Sequence, residues 1–204
     1  MKIDKLNRPS NNTITQQNKG VALSMHPRKF ALWLFIVSVC MMFAALTSAY
    51  IVKFTEGQPL VYDIPIMFWI TSVVIVISSV TMHLAYKAAK NSNIQQIKTF
   101  MLITTILGTV FLVGQWYAWV ELVQAGVFFA GSKSAPTGSF IYVFSGVHGL
   151  HIISGLVFLL ITLRLAFKNK IDAQNTNTIE MCATYWHFLD MLWIYLFIFL
   201  LLNH

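Results

Sequence analysis

Apolar and polar positions along this chain neither alternate like a half-buried strand nor recur like one face of a surface helix. They separate into blocks. Five stretches, Phe30 to Val52, Ile64 to Tyr86, Thr99 to Val120, Gly138 to Leu163 and Met181 to Asn203, are apolar almost without a break. The first four hold no Asp, Glu, Lys or Arg, and the fifth holds only Asp190. About 20 apolar residues in a helix cross a hydrocarbon core of about 30 Å, so each block is long enough to span. Barrel strands would be runs of about ten residues with strict alternation, and these blocks are longer and unpatterned. The pattern predicts an all-α integral membrane bundle of five transmembrane helices, over about residues 30–53, 64–87, 99–122, 138–167 and 180–203. Residues 1–25, rich in Asn, Gln, Thr and Lys, have no apolar core of the kind a signal peptide needs. They predict a disordered cytoplasmic tail, with residues 26–204 forming the transmembrane domain.

Composition agrees with the blocks and charge orients them. Hydrophobic residues make up 57% and charged residues 10% of the 204 positions, where soluble domains carry about a quarter charged. Of the 14 Lys and Arg residues, all but Lys53 and Lys133 fall before the first block, between the second and third, or between the fourth and fifth. Cations resist translocation, so the N-terminus is expected in the cytoplasm and the C-terminus outside. The net charge of +7 is that of a basic rim facing anionic lipid, which leaves nothing to assign to nucleic acid. Cys40 and Cys182 lie in or beside the first and fifth blocks, which suits small packing residues and implies no disulfide framework.

The connections are short and polar, too short for a soluble domain. Asp63 followed by Pro65 suits the cap and first turn of the second helix. Tyr50, Trp69, Trp116, Tyr117, Trp119 and Tyr142 lie toward the outer ends of their blocks, as an aromatic belt would. No internal repeat or matched pair of broken helices is present, which argues against a transporter. Nor is there a P-loop, GxGxxG, CxxC or HExxH on which to build a nucleotide or zinc enzyme.

Candidate chemistry therefore lies in the polar residues inside the blocks. In GVHGLHIISGL, His148 and His151 stand at i and i+3 on one helix face. Gly146, Gly149, Ser154 and Gly155 interleave with them and offer a small-residue seam for a neighbouring helix. YWHFLDMLWIY in the fifth block repeats the spacing with His187 and Asp190. His83, Gln115 and Glu121 complete the set. Paired imidazoles at one depth can ligate haem. At about 1.5 Å per residue, His148 is about 15 Å from the outer end of its helix and His187 about 9 Å from the inner end of its own, a poor match. His83 and His187 share a depth, so a haem on that pair stays open beside the plainer reading of hydrogen-bonded histidines. An aspartate at mid-helix is costly in lipid, about 2.5 to 3.5 kcal/mol on insertion scales. Asp190 should face protein, with His187 the nearest candidate partner and Tyr or Trp donors next, and structural anchoring suits it better than a proton relay.

YWHFLDMLWIYLF together with GVHGLHIISGL resembles the signature of subunit III of the haem-copper terminal oxidases. WLFIVSVCMMFAALTSAYIV (Trp33 to Val52), SSVTMHLAYKAAK (Ser78 to Lys90) and LGTVFLVGQWYAW (Leu107 to Trp119) are similar to its first three helices in the five-helix bacterial form. The resemblance implies a non-catalytic subunit of a proton-pumping cytochrome c oxidase in a bacterial inner membrane. It implies packing on subunit I, with subunit II nearby, lipid binding, and support of proton uptake and turnover stability. It further implies no cofactor in this chain, haem and copper being carried by the partners. His148, His151, His187 and Asp190 match the family's polar positions, and Gln115 and Trp186 join them as structural, lipid-contact or subunit-contact candidates. Two family carboxylates are missing, replaced by Val39 after Ser38 and by Ala118 after Gln115, so no role of theirs is carried over. Subunit III of a quinol oxidase and an accessory subunit of nitric oxide reductase are the alternatives within the resemblance. A transporter or a free-standing di-histidine haem protein is the alternative outside it.

Overall fold

The structure, a computed structural model, describes residues 27–55, 65–91, 93–129, 136–168 and 177–203. The expected tail, the Asp63 cap, Lys133 and Lys170 lie outside the described residues. Five helices follow in order, α1 (Pro27–Thr55), α2 (Ile66–Lys90), α3 (Ile94–Gln124), α4 (Pro136–Phe167) and α5 (Asn177–Leu202). Each is long and apolar enough to cross a membrane. The described residues contain no strand.

Most of the helices overrun the apolar blocks at one end or both, because polar residues carry the backbone into the interface. The start of α3 is the largest difference, Ile94 in place of the expected 99. Asn93 precedes it and accepts from the Gln96 backbone N–H at 3.3 Å, an N-cap that lets Gln95, Gln96 and Lys98 enter the helix. At the other end of α3, Gly126 adopts φ +82°. There the Val127 N–H reaches the Leu122 carbonyl at 3.0 Å, closing the helix through a left-handed residue that glycine tolerates. Pro136 opens α4, where a missing N–H costs nothing.

Lipid offers helices no hydrophobic reward for meeting, so close packing and interhelical hydrogen bonds hold such a bundle together. In this chain α5 packs against α1, α2 and α4, whereas α1 packs only on α4 and α5 among the larger helix contacts. The core has two layers. One, near the α5 N-terminus, holds Met82, Ala85, Ile97, Met101, Leu159, Ile179 and Trp186 and has no α1 member. The other holds Ile36, Phe43, Tyr50, Phe111, Phe144, Leu189 and Trp193. Trp186 is 1% exposed and needs hydrogen side chains around it. A Cβ at Gly108 would stand 2.6 Å from its ring, and one at Gly155 would stand 2.9 Å from Leu189 and 3.3 Å from Trp186.

Two expectations are corrected here. The small-residue seam of α4 meets α5 closely at Gly155 and at Ser154, whose hydroxyl is 2.7 Å from that of Tyr185. At Gly146 and Gly149 the approach is ordinary, a Cβ there meeting Trp119 at 3.7 Å and Leu112 at 3.9 Å. In the aromatic belt, Trp69, Trp116 and Tyr117 are exposed, but Tyr50 is buried at 2% and donates its hydroxyl to the Asn203 carbonyl at 2.7 Å. It serves as a clasp between α1 and the end of α5, since a buried phenol needs an acceptor.

Candidate functional site

The polar side chains of α5 are met by serines of α2. Trp186 donates its indole N–H to Ser78 Oγ at 2.9 Å, and Trp193 donates to Ser72 Oγ at 3.0 Å. Between them His187 Nδ1 and Ser79 Oγ are 2.7 Å apart. Ser72 passes its own hydrogen to the Phe68 carbonyl at 2.7 Å, which leaves its oxygen free to accept. The sequence carries a signal for this zipper. Trp186 and Trp193 are seven apart, so both return to one face of α5, and the hydroxyls that meet this stretch, Ser72, Ser78 and Ser79, all belong to α2.

Asp190 points into protein, as its cost in lipid requires, and is 2% exposed. The Ser79 side chain lies against its carboxyl group, but neither carboxyl oxygen makes a hydrogen bond. The expected partner, His187, is turned to Ser79 instead, and no Tyr or Trp donor takes its place.

His148 and His151 share a face in the helical-wheel sense yet meet different neighbours. His148 is wholly buried, with its ring 5.2 Å from Trp193 and edge-on to Phe111 at 5.9 Å. Neither of its ring nitrogens has a hydrogen-bond partner. His151 is half-buried and turned toward α1, 6.2 Å from the Phe35 ring and 5.9 Å from that of Phe43. Its Nδ1 lies 2.7 Å from the Val147 carbonyl, to which it donates. Because His148 lies on Trp193, six residues beyond His187, the two imidazoles are separated by about 9 Å along the α5 axis. A single haem cannot take both.

Two further polar places remain. His83 and His187, with ring centroids 6.2 Å apart, line a pocket of about 220 Å³ with Tyr86, Glu180, Ala183 and Thr184. Glu180 there pairs with Lys29 of α1 at 2.9 Å. On α3, Gln115 donates from Nε2 to Thr71 Oγ1 at 3.1 Å. Among the described residues, no group of three or more His, Cys, Asp or Glu side chains is placed to hold a metal ion.

The family model for cytochrome c oxidase subunit III matches residues 12–203. Among individual relatives, the chain is 31% identical over 174 residues to the cytochrome bo(3) ubiquinol oxidase subunit 3 of Pseudomonas aeruginosa, covering 82% of this chain and 81% of that one. It is 30% identical over 201 residues to the protein of the same name in Buchnera aphidicola, covering 95% and 96%. To the cytochrome c oxidase subunit 3 of Thermostichus vulcanus it is 28% identical over 198 residues, covering 90% and 94%. With a match running through all five helices, the chain belongs to the cytochrome c oxidase subunit III family: it is a multi-pass membrane protein, subunit III of a haem-copper terminal oxidase of the respiratory chain, associated with other oxidase subunits.

Proposed function

We propose that this chain is the non-catalytic subunit III of a proton-pumping cytochrome c oxidase of aerobic respiration in a bacterial inner membrane. In this reading it packs chiefly on subunit I with subunit II nearby, binds phospholipid, and supports proton uptake and stability during turnover. Oxygen reduction belongs to the complex, and haem and copper are carried by the partner subunits. The N-terminus is cytoplasmic and the C-terminus outside, because Lys87, Lys90, Lys98, Arg164 and Lys168 all gather at one end of the bundle.

The observation that carries the reading is how the intramembrane imidazoles are used. His148 is enclosed by Trp193 and Phe111, His151 is bonded to its own helix, and His187 is bonded to Ser79. Each serves the packing of the chain itself, and so do Trp186, Asp190 and Gln115. Affinity isolation of the intact complex through a tag on this chain tests the proposal. Haem-copper subunits I and II are expected to come with it, and a preparation without them overturns it.

Subunit III of a quinol oxidase is the second reading, favoured by the two ubiquinol oxidase relatives. A dinuclear copper site in the co-isolated subunit II selects the cytochrome c oxidase, and its lack selects the quinol oxidase.

A further inference from the structure

At the end of the bundle where Lys87 and Lys90 gather, α2 and α5 leave between them the pocket that holds His83 and His187. His83 is exposed and His187 half-buried, and no nitrogen of either ring is among the covered, unpaired atoms. His83 makes no hydrogen bond among the described residues. His187 has Nδ1 engaged by Ser79 Oγ at 2.7 Å, so the nitrogen left for the pocket is Nε2. With Nδ1–H donating to the serine oxygen, Nε2 carries a bare lone pair, the form of imidazole that ligates metal ions.

The other groups around the pocket narrow what it can hold. Thr184 gives its hydrogen to the Glu180 carbonyl at 2.9 Å. Glu180 spends Oε2 on Lys29 at 2.9 Å and stands at the rim, seven residues and about 10 Å before His187 along α5. Tyr86 carries Lys90 Nζ 4.7 Å over its ring, and its hydroxyl is free to bond water. An anion entering here would meet the Glu180 carboxylate, while Lys29 is already paired. A hydrocarbon chain would strip water from two imidazoles and return no hydrogen bond. A cation that takes nitrogen ligands meets neither cost.

We infer that His83 and His187 bind one zinc ion through their imidazoles, with water completing the coordination. Imidazole suits zinc among the divalent ions, whereas magnesium and calcium take oxygen. Two imidazoles that share a zinc ion, with bonds of about 2.0–2.1 Å, have ring centroids about 5 Å apart at a tetrahedral angle and about 6 Å when the angle opens. The rings stand 6.2 Å apart, and a swing of the exposed His83 side chain between neighbouring χ values closes the difference. Among the described residues no third His, Cys, Asp or Glu joins them, so the site keeps open positions, is weaker than a closed four-ligand one, and fills and empties with free zinc. When filled, it adds a coordinate tie between α2 and α5 beside the Trp186–Ser78 bond.

The test uses the complex isolated through a tag on this chain, washed with chelator, and zinc-65 ions in equilibrium dialysis. The parent should hold one zinc ion more per mole of this chain than His83→Gln, which removes an exposed imidazole without disturbing the core. His187→Gln should lose the same ion, and in either variant the zinc concentration needed to fill the site should rise at least about tenfold, the lower end of the loss seen when only an outer-shell partner is removed. Footprinting with diethyl pyrocarbonate places the ion. Zinc should protect His83 and His187 together, protection of His187 should vanish in His83→Gln, and magnesium at the same concentration should protect neither. Equal zinc uptake by parent and His83→Gln overturns the proposal, and so does protection of His83 alone or protection of either histidine by magnesium. Because zinc is counted against this chain, the result is read whether or not haem subunits accompany it, and haem content reports separately on assembly.

Discussion

α5 and α1 are both apolar spans of ordinary length, yet the fold treats them in opposite ways. Half of the most apolar window of α5 is buried by the rest of the chain, against 22% for α1. α5 is held by three indole or imidazole bonds to α2, by Ser154 and Tyr185 hydroxyls 2.7 Å apart, and by glycines that admit Trp186. α1 is held mainly from one side, through the Tyr50 clasp, the Tyr195 hydroxyl on Thr47 at 3.3 Å and the Lys29–Glu180 pair. Its Trp33, Leu34, Val37 and Met41 face outward. In a membrane both exposures are tolerable, because lipid is as apolar as leucine. What differs is how much of the bundle's packing each helix carries.

The sharpest way to break that contrast is at Trp186. Trp186→Ala should lower bundle stability by about 3–5 kcal/mol, through the void and the lost bond to Ser78, as measured by steric trapping in bicelles. Truncating the outward Trp33 to Ala should change stability by less than about 0.5 kcal/mol. A loss at Trp33 comparable to that at Trp186 would erase the distinction between the two helices. Gly108→Ala follows, expected to cost about 1–3 kcal/mol by overpacking against the same indole. Retention of full stability there would mean that Trp186 is free to move.

Asp190→Leu sharpens the account of α5. Relief of an unpaired buried carboxyl, about 1–3 kcal/mol, should offset overpacking of similar size. The variant should therefore stay within about 1 kcal/mol of the parent and still bring the haem subunits through isolation. A loss above about 3 kcal/mol would reveal a partner for the carboxyl. The smallest effect belongs to α1. Lys29→Ala removes a partly exposed ion pair worth about 0–1 kcal/mol, and its cost should vanish in concentrated salt. A cost that persists in salt would make the pair a structural tie.

The five spans, their order and the inward direction of Asp190 were legible because they depend on counting apolar residues against a fixed membrane thickness and on the cost of a charge in lipid. The destinations of the histidines were not. His148 and His151 are three residues apart, about 60° around the helix, and that small angle suffices to send one toward Trp193 and the other toward Phe43. The α2 serines escaped notice because a small hydroxyl inside an apolar run reads as packing. Only the indole donors of α5 laid against Ser72 and Ser78 give those hydroxyls their role. Gly146, Gly149 and Gly155 read alike in the sequence, since a glycine does not say how closely a neighbouring helix approaches, and only Gly155 meets its neighbours within 3.4 Å.

The sequence by itself determined that this chain crosses a membrane five times, and its ordered motifs determined which family it belongs to. Both are properties of single helices, set by length, hydropathy and local spacing. Tertiary structure decided which polar groups are spent and which are left over, and here, among the described residues, it left Gln115 Oε1, Glu121 Oε2, His148 and the Asp190 carboxyl unpaired. That remainder is a sum over neighbours on several helices, and no single segment contains it.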